Sequence, residues 1–380
     1  MKRWATLASA AALVATASGA APPLAPPIPP VHALADCAAR SVTLHVAAGA
    51  SQGDGSAARP FATLGAAFAS VAKQGVCALT IRLAPGDYAE SITTAIPNVT
   101  IRASAATRPA IHGTLTHTGR GLFDLSLLDV TRATGVAVRE IGGRVRLDGV
   151  RVTDTALVAS DADTGVGLWV SDGAEAVVRM SAFERNAHNA IRAEGAGTRL
   201  WVIASTIEGS GVHPLVRARM TATPPPASVD AGALLVTRGA SAWVSASTID
   251  GAAGAGVDVA SSARARLERV VVKKVTGDGA QGIAAHDGAT IEAIDSTASD
   301  SALCGVAAIS AALTMTSGTI ARAPVGACAR DPRMSLSCLQ RGTKYMDVTT
   351  PLQTERYTPP SLEPATPACP TVEVKPLPSW

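Results

Sequence analysis

Trp169, Trp201 and Trp243 are the first residues to account for, because aromatic side chains make up only 3% of the chain. An outward indole offers a large apolar face with a polar edge, the chemistry that lies flat against a sugar ring. Arg192 and Asp258 are the acid–base candidates that accompany them. Cleaving a glycan by elimination would take a carboxylate cluster holding calcium, with a Lys or Arg to abstract a proton from a carbon that the metal acidifies. Cleaving it by hydrolysis would take two or three acids facing one another across the bond. The spacing assembles neither set. Asp161 and Asp163 adjoin one another in an insertion and read as solvated turn carboxylates, so no metal is assigned to them. The expectation is no cofactor, with calcium entering only under the elimination reading. His112, His117, His188 and His213 lack metal-ligand spacing and read as polar turn residues. Gly209-Ser210-Gly211 lacks the Lys and helix of a phosphate loop.

A repeat positions these residues. With Gly142, Gly173, Gly197, Gly239, Ser262, Gly288 and Ser310 aligned as turns, Val152, Phe183, Ile207, Ile249, Val272, Ala298 and Ile320 share one later position. Most steps are roughly 22 to 26 residues, one coil of a solenoid, and the two longer ones carry insertions at 157–166 and 213–231. The column Leu147, Val178, Val202, Val244, Leu267, Ala293 and Met315 is apolar throughout. An inward stack of parallel strands about 4.8 Å apart demands that. Its neighbour, Arg146, Val177, Trp201, Trp243, Arg266, Glu292 and Thr314, is mixed and points outward. A preceding strand alternates in the same way, at Val136/Val138, Leu168/Val170, Ile191/Ala193, Leu234/Val236, Val257/Val259 and Ile283/Ala285. On its outer face Arg192 and Asp258 share one column, and Arg139, Glu194 and His286 the next. Glu194 and His286 lie roughly 14 Å apart on that spacing, too far to act together. The stacked Trp201 and Trp243 either meet a ligand or lie beneath the 213–231 insertion with its Pro224-Pro225-Pro226.

Ahead of the repeat, a strand at Val42–Val46 and a turn at Gly53-Asp54-Gly55 precede Pro60, which leads into an amphipathic helix with Leu64, Ala67, Phe68 and Val71 on one face. The run Gly53-Asp54-Gly55-Ser56, Arg59-Pro60-Phe61-Ala62-Thr63-Leu64, Ile81-Arg82-Leu83-Ala84-Pro85-Gly86-Asp87-Tyr88 and Glu90-Ser91-Ile92 resembles the N-terminal part of right-handed β-helix proteins of the pectin-lyase-like superfamily. The resemblance implies an all-β fold, a right-handed parallel β-helix solenoid with a short N-terminal capping helix. It implies no single activity, because relatives of this kind include lyases, hydrolases, epimerases and adhesins.

Lys2, Arg3, the apolar run Trp4–Ala17 and Ser18-Gly19-Ala20 read as a signal peptide over 1–20, with cleavage as late as 35. Residues 21–40 then read as a proline-rich linker, 41–330 as the β-helix, and 331–380 as a Cys/Pro-rich tail of extended chain. Asp36 ahead of Cys37 argues against a lipid anchor there. No other stretch is long and apolar enough to cross a membrane. A net charge of +3 leaves no footprint for nucleic acid. Six cysteines suit an oxidising compartment. Cys304 with Cys328, one coil apart, is the first expected bridge, with Cys37–Cys77 and Cys338–Cys369 completing the set. These features describe a monomer that is secreted or held at the cell surface or in the periplasm. Its expected role is non-catalytic, presenting an extended face to polysaccharide or another cell-envelope component. The alternatives are a polysaccharide lyase or glycoside hydrolase with its groove at Trp169, Arg192 and Asp258, and an adhesin-like structural protein that binds other proteins.

Overall fold

Inward Val, Ile, Leu and Ala at alternate positions cannot be buried by one coil alone, so each coil of this chain closes over the one before it. The computed structural model describes residues 37, 40–51, 53–216, 231–340, 342–355 and 369–378. Ala33–Lys375 form one compact unit, a right-handed parallel β-solenoid. A typical coil contributes three strands, such as Arg144–Asp148, Arg151–Thr153 and Val166–Ser171. The first strands stack into an 11-stranded sheet that begins at Ser41–Val46 and ends at Ala312–Thr316. The other two kinds belong to a single 21-stranded sheet, joined where Val271–His286 runs on without a break.

The columns expected from the repeat are paired residue for residue. Leu147, Val178, Val202, Val244, Leu267, Ala293 and Met315 are neighbours in successive strands, and none is more than 1% exposed. The same holds for the pairing of Val152 through Ile320. All seven aligned turn residues have φ between 49° and 83°. Only glycine enters that left-handed region without a Cβ penalty, which is why five of the seven are Gly and why Ser262 and Ser310 are strained there. A second left-handed residue follows the strands of the first sheet, as at Leu127, Met180, Ala204 and Ala246.

Two boundaries differ from the sequence expectation. Val138, not Val136, pairs with Leu168, and Glu140 pairs with Val170. Glu140 therefore faces inward, fully buried against His117, and Arg139 enters the column of Trp169 and Arg192 rather than that of Glu194. The repeat also runs beyond residue 330. Lys344–Met346 and Thr350–Glu355 add parallel strands to Thr319–Ala321 and Val325–Arg330, so the first part of the expected tail is a further coil.

The helix Leu64–Val71 closes the first coil, burying Leu64, Ala67 and Val71. Thr63 is its N-cap, and the Glu90 carboxylate accepts from the backbone N–H groups of Leu64 and Gly65 at 2.7 Å. Pro60 precedes the helix rather than opening it. Cys37–Cys77, Cys304–Cys328 and Cys338–Cys369 are bonded. Among the described residues no helix is long and apolar enough to cross a membrane. The expected signal peptide, the linker apart from Cys37 and Arg40, and residues 217–230 of the second insertion lie outside the described residues.

Candidate functional site

The outward column of the 11-stranded sheet sets Trp201 beside Trp243, followed by Arg266, Glu292 and Thr314. A segment from the end of the chain lies along it. Starting at Cys369, which is bonded to Cys338, Pro370–Lys375 runs back over successive coils. Thr314 Oγ1 donates to the Pro370 carbonyl at 3.1 Å, and the Glu292 carboxylate accepts from the Val372 N–H at 2.9 Å. Arg266 donates to the Val372 carbonyl at 3.5 Å, and Trp201 Nε1 to the Lys375 carbonyl at 3.4 Å. Val372 is buried while Thr371, Glu373 and Lys375 are exposed, the alternation of an extended strand.

Between this segment and the turn edge of the sheet is a cavity of about 380 Å³. Trp201 and Trp243 line it together with Arg199, Ser241, Arg264 and Ser262, and Glu373 and Lys375 form the tail side. Arg199 is paired with Glu175, whereas Arg264 and Lys375 make no ion pair among the described residues. Trp201 is only 3% exposed. Trp243 is partly exposed, but its Nε1 is buried without a hydrogen-bond partner among the described residues. The C-terminal tail, expected as extended chain pinned by Cys338–Cys369, thus lies over Trp201.

The second candidate face is built differently. Trp169 is held between two guanidiniums, with Arg139 and Arg192 at 4.5 and 4.4 Å from its ring centroid. Arg192 is 2% exposed and pairs with Asp163 at 2.6 Å and Glu194 at 2.7 Å. Glu194 is shared with Arg238. Asp163 stays exposed, as expected of a turn carboxylate, but the first insertion also brings one of its oxygens to Arg192. Burial works to raise the Asp163 carboxyl, yet the hydrogen bond and charge of Arg192 hold it below the ordinary carboxylate range. Asp258 follows Arg192 in the column with Leu235 between them. It is also 2% exposed, accepts from the Ala231 N–H at 3.3 Å and lies 3.6 Å from His286 Nε2. Burial pushes His286 down to about 4, so the ring is neutral at neutral pH. Arg192 and Asp258 share a column as expected, but both are buried rather than lining an open groove.

Three of the turn histidines are buried as well, against expectation: His117 and His213 at 0% and His188 at 1% exposure. His213 Nδ1 accepts from the Leu215 N–H and Nε2 donates to the Val158 carbonyl, which ties the two insertions together. Gly49-Ala50-Ser51-Gln52-Gly53 has the spacing of a hydrolase nucleophile elbow, but it leads into a loop, and the next helix starts only at Leu64. Among the described residues no group of three or more His, Cys, Asp or Glu is placed to hold a metal ion.

Residues 132–320 match the family model described as right handed beta helix region. No curated protein matches the chain. Among solved structures it is similar to the crystal structure of pectate lyase Pel9A, with 13% identity and a TM-score of 0.46, over 85% of this chain and 82% of that one. It is also similar to a rhamnogalacturonan lyase, with 11% identity and a TM-score of 0.35, over 77% of this chain and 75% of that one.

Proposed function

For a chain that over residues 132–320 belongs to the right-handed β-helix proteins, we propose an exported role in binding glycan without cleaving it. The observation that carries this reading is the pair of adjacent indoles, Trp201 and Trp243, beside a cavity of about 380 Å³ edged by Arg199, Arg264, Ser241 and Ser262. That volume falls within the range of small-ligand pockets, about 300–1,000 Å³. The partly exposed Trp243 indole supplies apolar area for a pyranose ring, while the Arg264 guanidinium supplies donors for its oxygens.

Catalysis is left out because the Arg192 guanidinium is engaged by Asp163 and Glu194, and Asp258 is buried beside a neutral imidazole. Trp169, clasped by two guanidiniums, is assigned to holding the insertion face rather than to the ligand. Three disulfides favour an oxidising compartment. Cys37, bonded to Cys77, has no thiol left for a lipid, which favours a secreted or periplasmic protein over a lipid-anchored one.

Pull-down on a panel of insoluble acidic and neutral polysaccharides, run alongside an assay for released reducing or unsaturated ends with and without calcium, tests the proposal. The expected result is retention on at least one glycan, weakened about tenfold by Trp243→Ala, a loss of about 1.4 kcal/mol. Release of ends that disappears in Asp258→Asn would establish an enzyme instead.

A further inference from the structure

We propose that Pro370–Lys375 is a displaceable occupant of the tryptophan track, a built-in competitor that an incoming chain must replace. What replaces it rests on the glycan-binding reading; that the segment exchanges does not. Its hold on the sheet is mostly through its own main chain. Each of its four hydrogen bonds ends on a backbone N–H or carbonyl of the segment, and the two from Arg266 and Trp201 are long, at 3.5 and 3.4 Å. Val372 is its one buried side chain. Nothing in those contacts demands this particular sequence.

The fit is also incomplete. The segment leaves a cavity of about 380 Å³ at its side, between its own residues Val372–Lys375 and the indoles of Trp201 and Trp243. Occupancy comes instead from tethering. Pro370 meets Thr314 one residue after the bonded Cys369, so the segment is presented to the track at high local concentration. Carbonyl oxygens that accept from Thr314, Arg266 and Trp201 occupy places where hydroxyl and ring oxygens of an extended glycan would accept. Departure would open a path from Trp201 to Thr314, four coil steps or about 19 Å.

The test compares the chain truncated after Cys369, which keeps all six cysteines, with the full chain carrying Trp380→Phe, so that both hold the same tryptophans. Acrylamide quenching should rise about twofold on truncation as the Trp201 and Trp243 faces open. A synthetic peptide of residues 370–378 should reverse that rise in the truncated chain and leave the full chain unchanged. Val372→Asp in the full chain, with the disulfide intact, should reproduce the rise. Quenching that stays at the full-chain level in both variants, or a truncated chain that the peptide cannot re-cover, would overturn the proposal. Cellohexaose and hexagalacturonate titrated against both chains form the second arm, with a gain of about tenfold expected for one of them on truncation. Peptide rebinding with neither hexasaccharide bound by either chain would sink the glycan reading and leave the exchangeable segment standing.

Discussion

Removing Glu140 should destabilise the fold more than removing Glu140 and His117 together. Both side chains are 0% exposed and meet at 2.9 Å. His117 Nε2 faces the Ile96 carbonyl at 3.0 Å, which can only accept, so that nitrogen carries a proton. Nδ1 faces both carboxylate oxygens, and the ring stacks on Phe123. Glu140→Ala strands a buried imidazole, at a cost of about 3–5 kcal/mol for breaking a buried pair, whereas an apolar pair of similar volume is close to neutral. With unfolding entropy scaling with length, that loss is roughly 4–7 °C in Tm for a chain of this size. Burial opposes protonation of His117, but the hydrogen bond and charge of Glu140 prevail and its pKa is raised. Burial also raises the Glu140 carboxyl, so the His117 share of stability is present below the unfolded imidazole value, about pH 6.5, only while that carboxyl stays ionised, and it fades as pH rises through the raised folded imidazole value. Thermal melts of wild type, Glu140→Ala and His117→Leu/Glu140→Met should show a gap between wild type and single variant that is widest near pH 6 and narrows upward. A gap that widens with pH, or a double variant no more stable than the single, refutes the argument.

Other consequences are open to measurement. Burial depresses His286 to about 4, so its share of stability is present above about pH 6.5 and is lost as pH falls. Denaturant titrations should lose roughly 3 kcal/mol across that window, and His286→Gln should flatten it. Breaking Cys304–Cys328, whose ends are 24 positions apart in sequence, should cost about 3 kcal/mol by chain entropy, read as a lower guanidinium midpoint for Cys304→Ala/Cys328→Ala. Ser310→Gly should raise stability by about 1 kcal/mol by relieving a φ of 49°; an unchanged midpoint would mean the turn has already relaxed that strain.

The solenoid was legible because a period of two within strands and a period of one coil between them coincide at Leu147, Val178 and Val202. The strand Val136–Ile141 is misleading because Val136 and Val138 are the apolar alternating pair, whereas the residues aligned with Leu168 and Val170 are Val138 and the carboxylate Glu140. His117, on the preceding coil, pairs with that inward carboxylate, and no local pattern announces a partner so placed. The tryptophan column followed from the repeat, but its cover did not. Trp201 and Lys375 are 174 residues apart, and the one local sign, the alternation Val372-Glu373-Val374-Lys375, sits among prolines. The turn histidines were misread for a related reason, since insertions that leave a coil can fold back and seal it.

Solenoids commonly lengthen or shorten by whole repeats, since each coil touches only its neighbours. The tail segment suspends that freedom over part of this one. Fixed at Cys338 and touching Thr314, Glu292, Arg266 and Trp201 in turn, it is a gauge cut to a set number of coils. Deleting one coil from that stretch would shift the far end by about 4.8 Å and carry Lys375 past Trp201 to Val177, the next residue in the column. Copy number is thereby frozen between Trp201 and Thr314, and the coils before Val177 are the ones left free to drift.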